Sequence, residues 1–435
     1  MVESSAPGLS FWPLTDVGRV RERNEDAFLV DRKLQLFVVA DGMGGHAAGE
    51  VASALAAKTV REVVAGHRDA LLEFEHGHGA TTRTDLLRLM ESSVQQACSA
   101  VYQEGVADET KRGMGTTLDA LLVVGSRGFI GHVGDSRVYL LRQGSVHMLT
   151  EDHSLINELL KRGRLSREQI DKLQYKNAVT RAVGVHESVE VDTLDFDVLK
   201  GDQFLLCSDG LHGYFEEAEF ARLFAETPEG ELAERLIALA NERGGKDNIT
   251  AIVVKVPDAE AGVDRLARDV NLKLEVLHQM PLFRFLTYQE LVRVLNLTQV
   301  RAFEAGAAVV SQGDDGDELF IVLTGRVQVE AGGAAIATLG PGEHVGEMAL
   351  IDKAARSADV RALEPSSLLS IRRRDFFDII RKDHAIAVKL LWSFLGVLSE
   401  RLRNTSRELG AAREAGAGLP DITARFMAAL EDEAP

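Results

Sequence analysis

The chain has 435 residues, enough for two or three domains with separate cores. Its 45% hydrophobic and 27% charged content is ordinary for a globular protein, while a formal net charge of −18 speaks against a phosphate-backbone partner, so no nucleic acid is expected. The start of the chain shows no basic segment leading into an apolar run, and no stretch of about eighteen apolar residues occurs. With only Cys98 and Cys207 present, a reducing cytoplasm and no membrane span are the expected setting.

From about residue 9 to residue 256, short β-rich runs alternate with amphipathic helices. "LQLFVVA", "TLDALLVVG", "GFIGHVG", "SRVYLLRQG", "VEVDTLDFDV", "DQFLLCS" and "NITAIVVKV" have the Val, Leu, Ile and Phe content of strands and are bounded by glycine or aspartate. "GEVASALAAKTVREVVAGH" and "TDLLRLMESSVQQACSAVYQ" repeat apolar residues at helical intervals. The strands follow one another too closely for βαβ units, so an α+β, helix-flanked β-sandwich is expected. Pro257 closes this block. Residues 257–280 read as a linking helix with Val263, Leu266, Val270, Leu274 and Leu277 on one face. Residues 281–410 change texture: short strands between evenly spaced glycine turns predict a β-roll of jelly-roll type, followed by a long helix from about Asp383 to Gly410. Residues 411–435 read as a tail.

The strand ends carry the chemistry. Asp41, Asp135 and Asp209 each follow an apolar run, Asp247 precedes one, and Glu25 and Asp26 lie four and five residues beyond Arg21. Each alone reads as a turn or cap, and Arg21 alone as an ion pair with Glu25. Together they suit divalent cations, which take oxygen ligands and offset buried negative charge. Two such ions sharing a carboxylate can activate water, and the Arg21 fork can hold phosphate oxygens. The glycines around Asp41 would clear space for what is bound there. Cysteine chemistry on phosphate is excluded: six residues beyond Cys98 and Cys207 stand Glu104 and Gly213, not arginine.

"R-x-x-N-E-D", "VVADGMGGHAAGE", "GMGTTL", "VGDSRVYLL", "DHSLINELL", "NAVTRAVG", "LCSDGL" and "KDNITAIVV" occur in the order found in type 2C metal-dependent serine/threonine protein phosphatases, the PPM family, which residues 9–256 resemble. The resemblance implies hydrolysis of phosphoserine and phosphothreonine in proteins by a metal-activated water, and hence phosphorylated proteins and their serine/threonine kinases as partners. It implies two Mn²⁺ or Mg²⁺ ions and a third, weaker one. Asp41 would bridge the pair, the carbonyl of Gly42 would bind one ion, and Asp209 and Asp247 would complete the other. Glu25 and Asp26 would hold water on the metals, Asp135 with Asp209 would hold the third ion, and Arg21 would take the phosphate. Residues Glu158 to Tyr175 fall where the family has a mobile flap. Met43 stands where some members have a histidine general acid; His46 and His153 are candidates for that role, which stays unassigned.

"GEHVGEMALIDKAARSADVRA" opens the second site. Gly346 and Glu347 precede a short apolar turn whose backbone N–H groups could meet an anion, and Arg356 and Ser357 follow. With "GDDGDELFIVLTGRVQV", this segment resembles cyclic-nucleotide-binding domains, which implies a β-roll with a C-terminal helix. It implies cAMP or cGMP as an effector on Gly346, Glu347, Met348, Ala349, Arg356 and Ser357. Val345 and Ala355 depart from the usual Phe and Pro. Leu391, Leu395, Leu398, Leu402, Thr405 and Leu409 form a heptad-like seam that suits pairing with a second copy; packing against the roll is the alternative. By resemblance to the catabolite activator's dimer helix, Thr405 and Ser406 would reach the adenine. A phosphatase regulated by cyclic nucleotide through the 260–280 helix is the leading expectation; a non-catalytic, nucleotide-sensing scaffold that docks phosphoproteins is the other.

Overall fold

The computed structural model describes residues 8–44, 48–77, 79–161, 178–258, 265–351 and 355–414. They fall into two units, one of residues up to 275 with 287–298, the other of 276–286 and the chain from 299 onward.

The first unit begins with β1 (Ser10–Asp16), β2 (Asp26–Asp31) and β3 (Leu36–Met43), then α1 (Ala48–Gly66), α2 (Arg68–His76) and α3 (Arg83–Ala107). Next come β4 (Gly115–Thr116), β5 (Leu118–Val124), β6 (Arg127–Val133), β7 (Arg137–Arg142), β8 (Ser145–Met148) and α4 (Leu155–Lys161). It continues through β9 (Asp192–Asp197), β10 (Gln203–Cys207), α5 (Asp209–His212), α6 (Glu217–Glu226), α7 (Glu229–Glu242) and β11 (Ile249–Lys255). One sheet runs β2-β3-β5-β6-β9 with β4 added to β3, and the other runs β1-β11-β10-β7-β8. The strand pairs are antiparallel.

Strand alternation explains the layers. Leu36 and Val38 cluster with Ala52, Ala56 and Val60 of α1 and Val94 of α3. Phe37, between them, points to the other sheet and meets Phe11 edge-on at 5.7 Å. Leu205, Cys207, Ala251 and Val253 form a second core with Leu232 and Leu236 of α7. Both faces of the inner strands are therefore covered, which is why those strands read as unbroken apolar runs. Each such Leu or Val contributes about 1.5–3 kcal/mol on burial. Cys207 is a packing residue. The sandwich flanked by helices is borne out. Strand β1 contains Pro13, which is tolerated because β1 lies at a sheet edge.

Helix α8 (Arg265–Gln279) matches the linking helix; Val270, Leu274 and Leu277 are buried, whereas Leu266 is exposed and Val263 lies outside the described residues. Helix α9 (Tyr288–Leu295) starts with a capping box between Thr287 and Glu290. Although the sequence pattern begins the roll domain at 281, residues 287–298 pack with the first unit. The Tyr288 ring stacks on His147 with centroids 3.8 Å apart, and its hydroxyl accepts from Arg142 Nη1 at 3.0 Å. Asn296 Nδ2 donates to the carbonyl of Asp195 at 2.8 Å.

The second unit holds β12 (Gln299–Phe303), β13 (Ala308–Val310), β14 (Glu318–Thr324), β15 (Val327–Ala331), β16 (Ala334–Leu339) and β17 (His344–Val345). After α10 (Met348–Ile351) come β18 (Asp359–Ala362), β19 (Ser366–Arg372), α11 (Arg373–Lys382) and α12 (His384–Glu414). Its sheets run β12-β19-β14-β17 and β13-β18-β15-β16 around Phe320, Val322, Val327, Val360 and Leu368. This is the expected roll. In α12 Ile386, Ala387, Leu390, Ser393 and Phe394 are buried, with Phe394 edge-on to Phe376 of α11 at 5.9 Å. Leu391, Leu395 and Leu402 are exposed, so at these positions the seam does not pack against the roll. Leu398 is half-buried. Among the described residues no helix is long and apolar enough to cross a membrane.

Candidate metal centre

The acidic strand ends converge. A cleft of about 860 Å³ is lined by Arg21, Glu25, Asp41, Gly42, Met43, Asp135, Asp209 and Asp247, together with Glu22, Arg23, Gly44, Thr117 and Val179. Asp26 stands beside it, paired in register with Asp41 across β2 and β3.

Asp41, Asp26, Glu25 and Asp247 are set by polar contacts that join distant parts of the chain. Asp41 N–H donates to Thr117 Oγ1 at 2.9 Å, and Thr117 N–H and the Thr116 hydroxyl both donate to Asp41 O at 2.9 Å. Thr117 is bonded in turn to Ser136 at 2.8 Å. The Ser208 and Thr250 hydroxyls donate to Asp26 Oδ2 at 2.8 and 2.7 Å. Glu25 N–H donates to Asn248 Oδ1 at 2.8 Å, while Asn248 Nδ2 holds the carbonyls of Val17 and Arg23 at 3.0 and 2.9 Å. A Cβ on Gly42 would lie 2.2 Å from the carbonyl oxygen of Gly49 and 2.5 Å from that of Glu25. That glycine is therefore required by the start of α1 packing against the strand end, not only by a ligand. Arg21 Nη2 donates to Asp247 Oδ2 at 2.7 Å, so its partner is Asp247 rather than Glu25.

The electrostatics are those of more carboxylates than the single Arg21–Asp247 pair offsets. Burial pushes Asp26 up to about 7, its two hydroxyl donors notwithstanding, and burial with the nearby Asp209 pushes Asp135 up to about 7. Asp41 is raised well above the usual range by burial and then by Asp26, Asp209, Asp135 and Asp247; Asp209 is raised by burial and Asp247. Asp26 Oδ1 and Asp209 Oδ1 are buried without a hydrogen-bond partner. A cation fits this donor set, because hard oxygen ligands would then be charged and satisfied. The carboxylates do not form a closed cage by themselves: among the described residues no three His, Cys, Asp or Glu side chains are arranged to hold an ion, and Asp247 is turned to Arg21.

The two histidine candidates for a general acid divide. His46 lies outside the described residues. His153 is buried, is not among the residues that line the cleft, and accepts at Nδ1 from Gly134 N–H at 3.1 Å. Helix α4 covers the start of the flap region, and residues 162–177 are outside the described residues.

In the second unit, Glu347 is buried, Ala349 is buried beside it, and Met348 and Ser357 are exposed. Arg356 reaches under Gly346, whose φ of +83° admits no side chain easily and whose Cβ would fall 2.2 Å from Arg356 Nη1. Arg356 Nη2 donates to Glu318 O at 2.7 Å, and Nη1 is buried without a partner. The turn before β14 pins this arginine: Arg356 N–H donates to Asp314 O and Gly313 N–H to Arg356 O, each at 2.9 Å. Thr405 and Ser406 lie exposed on α12.

A helix-flanked antiparallel sandwich with aspartates gathered at the strand ends, under an arginine, defines a metal-dependent phosphatase. The family model for protein phosphatase 2C matches residues 18–241, and the chain belongs to that family. A cyclic nucleotide-binding domain matches residues 300–383. The serine/threonine phosphatase stp of Listeria innocua is 37% identical over 245 residues, 55% of this chain and 93% of that protein. Protein phosphatase PhpP of Streptococcus pneumoniae is 34% identical over 252 residues, 57% of this chain and 98% of that protein. The structure of the S. agalactiae serine/threonine phosphatase superposes with a TM-score of 0.50 at 35% identity, covering 57% of this chain and 99% of that one. Phosphatase PstP/Ppp of Mycobacterium tuberculosis gives 0.50 at 33% identity, with the same two coverages of 57% and 99%.

Proposed function

We propose that the chain removes phosphate from phosphoserine and phosphothreonine in proteins at the carboxylate cleft, and that cAMP or cGMP bound to the second unit regulates the rate. The observation that carries the first part is the gathering of Asp41, Asp135, Asp209 and Asp247 with Arg21 in one cleft, where burial and mutual repulsion raise Asp41, Asp135 and Asp209. Asp41, Asp209, Asp247, Asp135 and the carbonyl of Gly42 would hold Mn²⁺ or Mg²⁺ directly, with Glu25 and Asp26 through water. When bound, such ions neutralise charge and make a water acidic enough to attack phosphorus. The chain's own residues do the rest. Thr116, Thr117 and Ser136 fix the strand end that carries Asp41; Asn248 ties the Arg21–Glu25 loop to the Asp247 turn. Arg21, half-exposed at the rim, offers a planar fork to two phosphate oxygens. Docking without turnover gives no reason to keep so many buried charges in one place.

Arg356, with one buried unpartnered nitrogen beside Gly346, supports an anionic ligand such as a cyclic phosphate, and buried Glu347 suits a ribose hydroxyl. Regulation would run through residues 265–298, because 287–298 group with the phosphatase unit while the chain on both sides groups with the other. A ligand shifts activity only through unequal affinity for two states. The exposed Leu391, Trp392, Leu395 and Leu402 of α12 are read as the face that a second copy covers. Leu391→Glu with Leu395→Glu is expected to turn a sedimenting dimer into a monomer; an unchanged sedimentation coefficient would remove α12 from the interface.

The functional test is the Mn²⁺-dependent rate on a phosphothreonine peptide with and without saturating cAMP or cGMP. A metal-dependent rate that either nucleotide changes is expected. Identical rates together with no heat of nucleotide binding would reject regulation and leave the phosphatase reading standing.

The same carboxylates predict a pH effect. Asp26 and Asp135 ionise near pH 4 when unfolded but are held up to about 7 in the fold. Without metal, the folded state therefore binds more protons than the unfolded chain across that window, and stability falls as pH rises through it. Cations bind the ionised form. The rise in melting temperature on adding Mn²⁺ should be larger at pH 8 than at pH 5.5; an equal rise at both values would contradict this electrostatic account.

A further inference from the structure

Gly134 and Asp135 form the bend between β6 and β7, and two buried histidines hold its backbone. His153 Nδ1 accepts from Gly134 N–H at 3.1 Å while His153 N–H donates to Gly134 O at 2.7 Å. His212 Nε2–H, from the end of α5, donates to Asp135 O at 2.8 Å. The bend cannot be held by a side chain at position 134. Gly134 has φ +117°, and a Cβ there would lie 2.6 Å from Thr117 Cβ.

The histidines are themselves braced. His153 packs on the His132 ring with centroids 4.7 Å apart. Both nitrogens of His132 have acceptors, Asp119 Oδ1 at 2.6 Å and Glu151 O at 2.9 Å. Burial opposes a charge on His132, but Asp119 across the strand pair raises it to about 9, leaving an imidazolium. Burial lowers His153, and although Asp192 pulls the other way the charged His132 ring lowers it further, so Nδ1 keeps the lone pair that Gly134 N–H needs. His153 Nε2 lies 3.4 Å from Asp192 Oδ2 and 3.1 Å from Arg181 Nη1.

We infer that His153 and His212 are positioning residues for Asp135: by fixing successive peptide groups of the bend they aim its carboxylate into the cleft and set the affinity of the weakest metal site. The inference rests on the reading of Asp135 as a ligand of a third ion. It accounts for two buried histidines that neither face the cleft nor belong to the family's metal set. Fixing a ligand's backbone before the ion arrives removes an ordering cost from binding, as outer-shell partners of metal ligands commonly do.

Mn²⁺ titration of the full chain by calorimetry, with paramagnetic resonance to count bound ions, separates the weakest class of site from the tighter pair. His153→Asn keeps an acceptor where Nδ1 stands, whereas His153→Gln moves it to the place of Nε2, at similar size and polarity. The weakest class should lose about tenfold or more in affinity in His153→Gln and little in His153→Asn, with the tighter class unchanged in both. His212→Leu should weaken the same class and His212→Gln, which keeps a donor at Nε2, should restore it. This second pair decides the matter if a His153 variant does not fold. Asp135→Asn should remove the weakest class, and adding His153→Gln to it should change nothing more. Equal weak-site affinity in the Asn and Gln variants, or an equal loss in every class, overturns the positioning role. An Asp135→Asn chain that keeps the weakest class overturns the third-ion reading and this inference with it.

Discussion

Asp209→Asn is expected to lower Mn²⁺-dependent hydrolysis of a phosphate monoester by at least about a hundredfold, because losing a mere partner of a metal ligand already costs about 10–100-fold and Asp209 is proposed as a ligand itself. Asp209 opens α5 just after β10 and carries a buried oxygen without a hydrogen-bond partner. Asparagine has nearly the same shape but brings no charge and only one acceptor, so it is a poor ligand for a hard cation. The substitution also relieves repulsion, since burial and Asp247 both raise the Asp209 carboxyl. The metal-free variant should accordingly melt no lower than the parent chain, while its gain in melting temperature with Mn²⁺ should shrink. A chromogenic ester assay and a thermal scan read the two effects separately. A near-native rate would mean that Asp209 holds no ion that matters to the reaction.

Arg356→Leu is expected to weaken cyclic nucleotide binding roughly ten- to a hundredfold, since a charge-assisted hydrogen bond contributes about 1.5–3 kcal/mol. Leucine fills part of the same space beside Gly346 and Gly316 but offers no donor. The fold should tolerate it, because Arg356 is half-buried and its bond to Glu318 O is the contact removed. Any dependence of the phosphatase rate on nucleotide should be lost in parallel, with the rate in the absence of nucleotide retained. Calorimetric binding equal to that of the parent chain would place the phosphate elsewhere.

The aspartates themselves were legible because each sits at a fixed offset from an apolar run. Asp41 lies near the end of β3, Asp135 and Asp209 follow strands and Asp247 precedes one, and the sandwich brings those strand ends to one cleft. What holds the aspartates was not legible. Thr117 reaches Asp41 across 76 positions, Thr250 reaches Asp26 across 224, and Asn248 reaches Glu25 across 223. Contacts of that span leave no periodic trace in a single sequence. Buried histidines are a similar case: His132, His153 and His212 look like ordinary strand, loop and helix residues until the β6–β7 bend is seen between them. The glycine next to Asp41 reads in sequence as room for a ligand, whereas its closest neighbours are the backbones of Gly49 and Glu25. Capping at Thr287 marks the start of α9, but nothing local shows that residues 287–298 pack with the first unit. The seam on α12 was visible as spacing, and only the burial of Ile386, Leu390 and Phe394 separates the face used within the unit from the face left open.

Crystals of the full chain grown with Mn²⁺ and measured at the manganese absorption edge give the most direct test. The account predicts anomalous peaks inside the cleft, within coordination distance of Asp41, Asp209 and Asp247, and a further weaker one at Asp135. Peaks confined to the surface, or a cleft without any at saturating Mn²⁺, would contradict it.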